Sequence, residues 1–98
     1  MKKHRYRVTL EHLADAQGAP SSYEAPLIFE VSNHDDIFQI VQRMLARDDF
    51  DDSSAKSLAV GLKLFSEVMP KHKDHPLFSS FKPHFSQFMK ELKGRSQV

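Results

Sequence analysis

Ser53–Met69, SSAKSLAVGLKLFSEVM, is the stretch on which the fold turns. Stepping about 100° per residue from Leu58 puts Leu62, Phe65 and Met69 on one side with Ala55. Val60, Leu64 and Val68 fall elsewhere round the wheel, and only a narrow strip with Lys56, Lys63 and Glu67 is polar. A helix apolar most of the way round is one that its neighbours enclose. Pro70 stops continuation. The reading is a central helix over 53–69, with Gly61 permitting a close neighbour at a helix cost of about 1 kcal/mol relative to Ala. Truncating Phe65 in such a helix is expected to cost about 3–5 kcal/mol, the range for a buried phenylalanine.

Working towards the N-terminus, Asp48 to Asp52 forms an acidic connector around Phe50. Before it, Ile37, Phe38, Ile40, Val41, Met44 and Leu45 recur at helical spacing. Ser32 and Asn33 are good N-cap residues, and Asp35 and Asp36 suit the positive end of the helix dipole. These signals predict a helix over 34–47. Leu27, Phe29 and Val31 alternate with Ile28 and Glu30, a strand over 26–31 with Pro26 at its start. Tyr6, Val8 and Leu10 alternate with Arg5, Arg7, Thr9 and Glu11, a half-buried strand over 4–13. The segment between contains Asp15, Gly18, Pro20 and two serines, which is turn chemistry. Two strands so joined predict an antiparallel hairpin.

Working towards the C-terminus, Lys71 to His75 is a basic link, and Pro76 suits the first position of a helix. Leu77, Phe78, Phe81, Phe85, Phe88, Met89 and Leu92 share one face of a helical segment over 76–93. Pro83 removes a hydrogen bond and crowds the carbonyl of Ser79, so the segment is expected to break near Pro83. Gly94 suits a C-terminal cap. The fold expected is α+β in the order β-β-α-α-α, a hairpin packed on a helical layer with the second helix central.

The order of these signals is familiar. His4-Arg5-Tyr6 opens the first strand, and Phe29-Glu30-Val31-Ser32-Asn33-His34-Asp35-Asp36-Ile37-Phe38 joins strand to helix. Gly61-Leu62-Lys63-Leu64-Phe65-Ser66-Glu67-Val68-Met69 lies in the second helix. His75-Pro76-Leu77-Phe78, Pro83-His84-Phe85 and Phe88-Met89 close the chain. The chain resembles a family of small bacterial proteins classed as a domain of unknown function. The resemblance covers nearly the whole chain and implies a bacterial, cytoplasmic, stand-alone domain. It carries over no catalytic residue, no cofactor and no partner.

Ninety-eight residues suit a single domain, 1–98. Hydrophobic residues are 40% and charged residues 28%, a globular balance. With no cysteine, disulfides, thiolate metal sites and cysteine nucleophiles are excluded. No stretch approaches the roughly 20 apolar residues of a membrane span. The basic start lacks a following apolar segment, so a cytoplasmic setting is expected. Residues 1–7 carry four bases and no acid, 8–70 carry eleven acids against four bases, and 71–98 carry six bases against two acids. An acidic middle between basic ends can steer a partner.

Chemistry-bearing patterns are few. His72, His75 and His84 would bind zinc or nickel if they converged, but no cysteine or well-spaced carboxylate completes the set. A calcium loop starting at Asp48 needs Gly sixth and Glu twelfth, where Ser53 and Ala59 stand. His34 beside Asp35 and Asp36 is accounted for by the helix start. No P-loop, GxSxG or GxGxxG pattern occurs, so no catalytic residue is nominated and no cofactor is implied. Lys2, Lys3, Arg5 and Arg7 around Tyr6 fit single-stranded nucleic acid. Against that, Tyr6 is in phase with the core-facing Val8 and Leu10, and the pI of about 8.1 is low for such a domain.

A two-stranded hairpin is marginal alone and leaves open edges. Pairing across a two-fold axis would bury more apolar surface. The function expected is therefore a non-enzymatic protein-interaction module, a candidate homodimer with a protein partner. Its contact positions are Arg5, Arg7, Lys71, His72, Lys73 and His75. The alternative is a small-ligand or metal binder using His72, His75 and His84.

Overall fold

The computed structural model describes residues 2–95; Met1 and residues 96–98 of the expected 1–98 span lie outside the described residues. The order is β-β-α-α-α, as the periodicities require: β1 His4–Leu10, β2 Leu27–Asn33, α1 Ile37–Leu45, α2 Asp52–Lys71 and α3 Pro76–Arg95. Two compact units divide the chain between His34 and Asp35.

In the first unit β1 and β2 pair antiparallel, with Tyr6 opposite Val31, Val8 opposite Phe29 and Leu10 opposite Leu27. Because side chains alternate along a strand, these three apolar pairs share one face. Arg5 and Arg7, opposite Ser32 and Glu30, share the other. The strand bounds shift from those expected. β1 ends at Leu10 rather than 13, and β2 continues to Asn33. The connection is ordered by Asp15, whose Oδ1 accepts from the N–H groups of Gln17 and Ala19 at 2.9 Å each. Gly18 there has φ +89°, a conformation that a Cβ disfavours. A bridge between Ala14 and Pro20 carries the pairing pattern past the strands.

Ser32 and Asn33 do not cap α1, because the ladder of β2 takes them. Asp36 is the cap, its Oδ1 accepting from Phe38 N–H at 3.1 Å and Gln39 N–H at 3.4 Å. The helix accordingly begins at Ile37 instead of residue 34.

The second unit has one core. Ile40 and Met44 of α1, Ala55, Ala59 and Leu62 of α2, and Leu92 of α3 form a buried cluster, with Phe85 and Met89 packed against it. α2 is the middle helix, and its two buried alanines present no bulk to the neighbours. It is not enclosed all round, however. Val60 is 37% exposed, Phe65 38% and Val68 42%. The reason is geometric: Val60 lies about 160° from Leu62 round the helix, too far for residues facing Leu62 to cover.

α3 runs unbroken through Pro83. Phe65 of α2 packs against Phe78 and Phe81 before the proline and Phe85 after it, at centroid distances of 6.2, 5.9 and 5.9 Å. These contacts hold the two halves in one phase. Pro83 and Ser79 are both exposed, so water can replace the lost donor. Likewise α2 continues through Pro70, but only by one residue, ending at Lys71. Gly94 lies within α3 instead of capping it.

Candidate functional site

Three surfaces carry the residues of interest. The first is the hairpin. Glu30 accepts from both Arg5, at 3.0 Å, and Arg7, at 3.2 Å. One carboxylate thus holds two guanidinium groups on the charged face, at exposed positions where such pairs contribute about 1 kcal/mol or less. On the opposite face Tyr6, Val8 and Val31 are half-buried. Towards the loop end the same face is open: Leu10 is 63% exposed, Leu27 59% and Phe29 43%. Leu13 and Tyr23 of the connection are also exposed. The edge of the Tyr23 ring pair with His12, at 5.1 Å, and the 2.6 Å contact of His12 Nδ1 with Ser21 Oγ give this end a defined shape.

The second surface is the α2–α3 turn and the groove beside it. Lys71, His72, Lys73 and His75 are all exposed there. His72 is the C-cap of α2, donating its N–H to Met69 at 3.1 Å. His75 starts α3: its carbonyl accepts from Phe78 and Ser79, and its Nδ1 accepts from Leu77 N–H at 3.1 Å. His84 is exposed on α3. Among the described residues no group of three His, Asp or Glu side chains is placed to hold a metal ion, so His72, His75 and His84 are not gathered as a ligand set. The groove has a volume of about 470 Å³. Its floor is Met69, Pro70, Phe78 and Phe85, and Lys73 and Lys82 stand in its lining with Ser66, Ser79 and Ser86. Of these, only Lys73 was expected at a contact surface. The spacing of Ser79, Lys82 and Ser86 beside the phenylalanine stripe was the signal for the rest, since residues three and four apart share a helix face.

The third surface surrounds Arg47. Its Nε and Nη2 donate to the two carboxylate oxygens of Asp49 at 2.9 and 2.6 Å, and its Nη1 donates to the Leu92 carbonyl at 3.3 Å. The guanidinium also sits 5.5 Å from the Phe50 ring. The Asp49 hydrogen bond holds the Arg47 pKa above its ordinary value. With its donors so engaged, Arg47 is a clamp between the α1–α2 connection and the last turns of α3, not a charge offered to a ligand. Within the acidic connector, Asp49 serves that clamp, and Asp52 pairs with Lys56 one turn on at 2.9 Å.

Residues 4–94 match the model of a family described as a domain of unknown function with a solved structure. The chain belongs to this family, DUF3861. A crystal structure of a protein of unknown function from the bacterium Pectobacterium atrosepticum is similar to it, with 35% identity and a TM-score of 0.81 over 95% of this chain and 99% of that one. The search of curated proteins found no match. The DUF3861 fold thus spans both units, while its activity has no assignment by likeness. No helix among the described residues is long and apolar enough to cross a membrane.

Proposed function

We propose that this DUF3861 protein is a non-enzymatic interaction module of the cytoplasm, and that the apolar face of its hairpin docks a second copy of the chain. One observation carries the reading. Among residues 2–34 the only buried residue is Asn33, while Leu10, Leu27 and Phe29 of the apolar face, and Leu13 and Tyr23 of the connection, are all exposed. Of the apolar side chains on the strands only Tyr6, Val8 and Val31 are half-buried, so most of the hairpin's apolar area stays in water and gains nothing from the hydrophobic effect, which needs area removed from water. Its surplus surface is the kind that marks an interaction site.

A second copy suits this face because the face is uncharged and therefore complementary to itself. The charged face, with Arg5, Arg7 and Glu30, is not. The exposed phenylalanines of α3 are weaker candidates, since Phe81 and Phe88 already have ring neighbours. Strands of seven residues span about 24 Å, and two strands cover on the order of 240 Å². A standard interface takes about 800 Å² from each partner. The self-association should therefore be weak, with Kd on the order of 0.1–1 mM, unless the connection joins the contact.

Sedimentation equilibrium from about 10 μM to about 1 mM covers that range. The wild type should shift from monomer towards dimer, and Phe29→Glu should remain monomeric throughout. A wild type that stays monomeric at the top concentration overturns the second-copy reading.

A further inference from the structure

We propose that the groove between α2 and α3 binds a small amphiphilic carboxylate, its hydrocarbon laid on Phe78 and Phe85 and its head between Lys73 and Lys82. The site is independent of the hairpin and lies wholly within the helical unit. Its volume, about 470 Å³, falls in the class of small-molecule pockets, about 300–1,000 Å³. Such pockets combine an apolar lining with a few polar groups that fix orientation.

Charge decides the ligand class. The lining carries two lysines and no acid. Neither Lys73 nor Lys82 has an ion-pair or hydrogen-bond partner among the described residues. By contrast, Lys56 and Lys63 are paired with Asp52 and Asp35. Two unneutralised cations at the edge of an apolar floor favour an anion with an apolar body. A free inorganic anion would leave the apolar floor of Met69, Phe78 and Phe85 uncovered.

The hydroxyls refine this. Ser66 Oγ donates to the Lys63 carbonyl at 3.3 Å and Ser79 Oγ to the Pro76 carbonyl at 3.2 Å. Their protons are engaged, so the positive charge facing a head group comes from the lysines. Along α3 the wall from Phe78 to Ser86 rises about 12 Å at 1.5 Å per residue. An extended chain of roughly eight to ten carbons matches that length.

Decanoate titrated into the full chain, followed by NMR of the aromatic signals, tests the proposal. Saturable binding should appear below about 1 mM, with Phe78 and Phe85 moving together. Each methylene removed should weaken binding by about two- to fourfold, the methylene transfer effect reduced by the groove's open side. Decanol, equal in length and uncharged, should bind at least about tenfold more weakly, as should decanoate to Lys73→Gln/Lys82→Gln. Both lysines are exposed, and circular dichroism checks that the double variant is folded. Equal affinity for decanol and decanoate overturns the proposal, as does undiminished binding by the double variant or an absence of saturation. It falls equally if Phe78 and Phe85 signals move with protein concentration alone, for the occupant is then another copy of the chain.

Discussion

Phe65→Ala measures how far α2 is enclosed. The ring contacts Phe78, Phe81 and Phe85, yet the residue is 38% exposed, so about three-fifths of its surface is covered. Truncating a fully buried phenylalanine costs about 3–5 kcal/mol. Scaled to the covered fraction, the expected loss is about 2–3 kcal/mol, including the specific gain from edge-to-face ring pairs. Met44→Ala supplies the reference, because Met44 is 1% exposed and its truncation should cost about 3–4 kcal/mol. Urea unfolding followed by circular dichroism reads both, at low protein concentration so that association does not contribute. With a slope of about 1 kcal/mol per molar urea for a chain this small, the Phe65→Ala midpoint should fall by about 2–3 M. A loss of about 4 kcal/mol or more, exceeding Met44→Ala, would mean the ring is enclosed after all. A loss below about 0.5 kcal/mol would mean the three ring contacts are not made.

Two further substitutions test local physics. Asp36→Ala should cost about 1 kcal/mol and lower Tm by about 5 °C, since Phe38 and Gln39 lose their acceptor; an unchanged melt would contradict the cap. Pro83→Ala should stabilise by about 2 kcal/mol in the same melt, because the helical penalty of proline, about 3 kcal/mol, exceeds the roughly 1 kcal/mol gained from the entropy it removes from the unfolded chain. Destabilisation would show that α3 needs a break there.

The hairpin was legible to the level of its faces. Alternation at Tyr6, Val8 and Leu10 against Leu27, Phe29 and Val31 leaves one register that keeps the apolar residues together. The three helices followed from their period, but their ends did not. Ser32, Asn33 and Asp36 are all good caps, and strand pairing, a non-local interaction, removes the first two. Pro83 shows the same limit. Its cost is local and visible, whereas the Phe65 contacts that hold α3 straight come from another helix. An apolar wheel cannot distinguish a covered side from a bare one, so Val60 and Val68 were read as enclosed. Arg47 and Asp49 carry no motif, and the Leu92 carbonyl that completes their clamp is 45 residues away. The groove was half legible: Lys73 stood out within a basic link, whereas Lys82 is a lone charge beside a phenylalanine stripe.

Methyl and aromatic NMR of the full chain, diluted from about 1 mM to about 10 μM, asks directly which surface meets a second copy. Signals of Leu10, Leu27 and Phe29 should shift with concentration while those of Met44 and Leu62 stay fixed. A hairpin whose resonances ignore dilution, or movement confined to Leu77 and Phe81 of α3, would contradict the account.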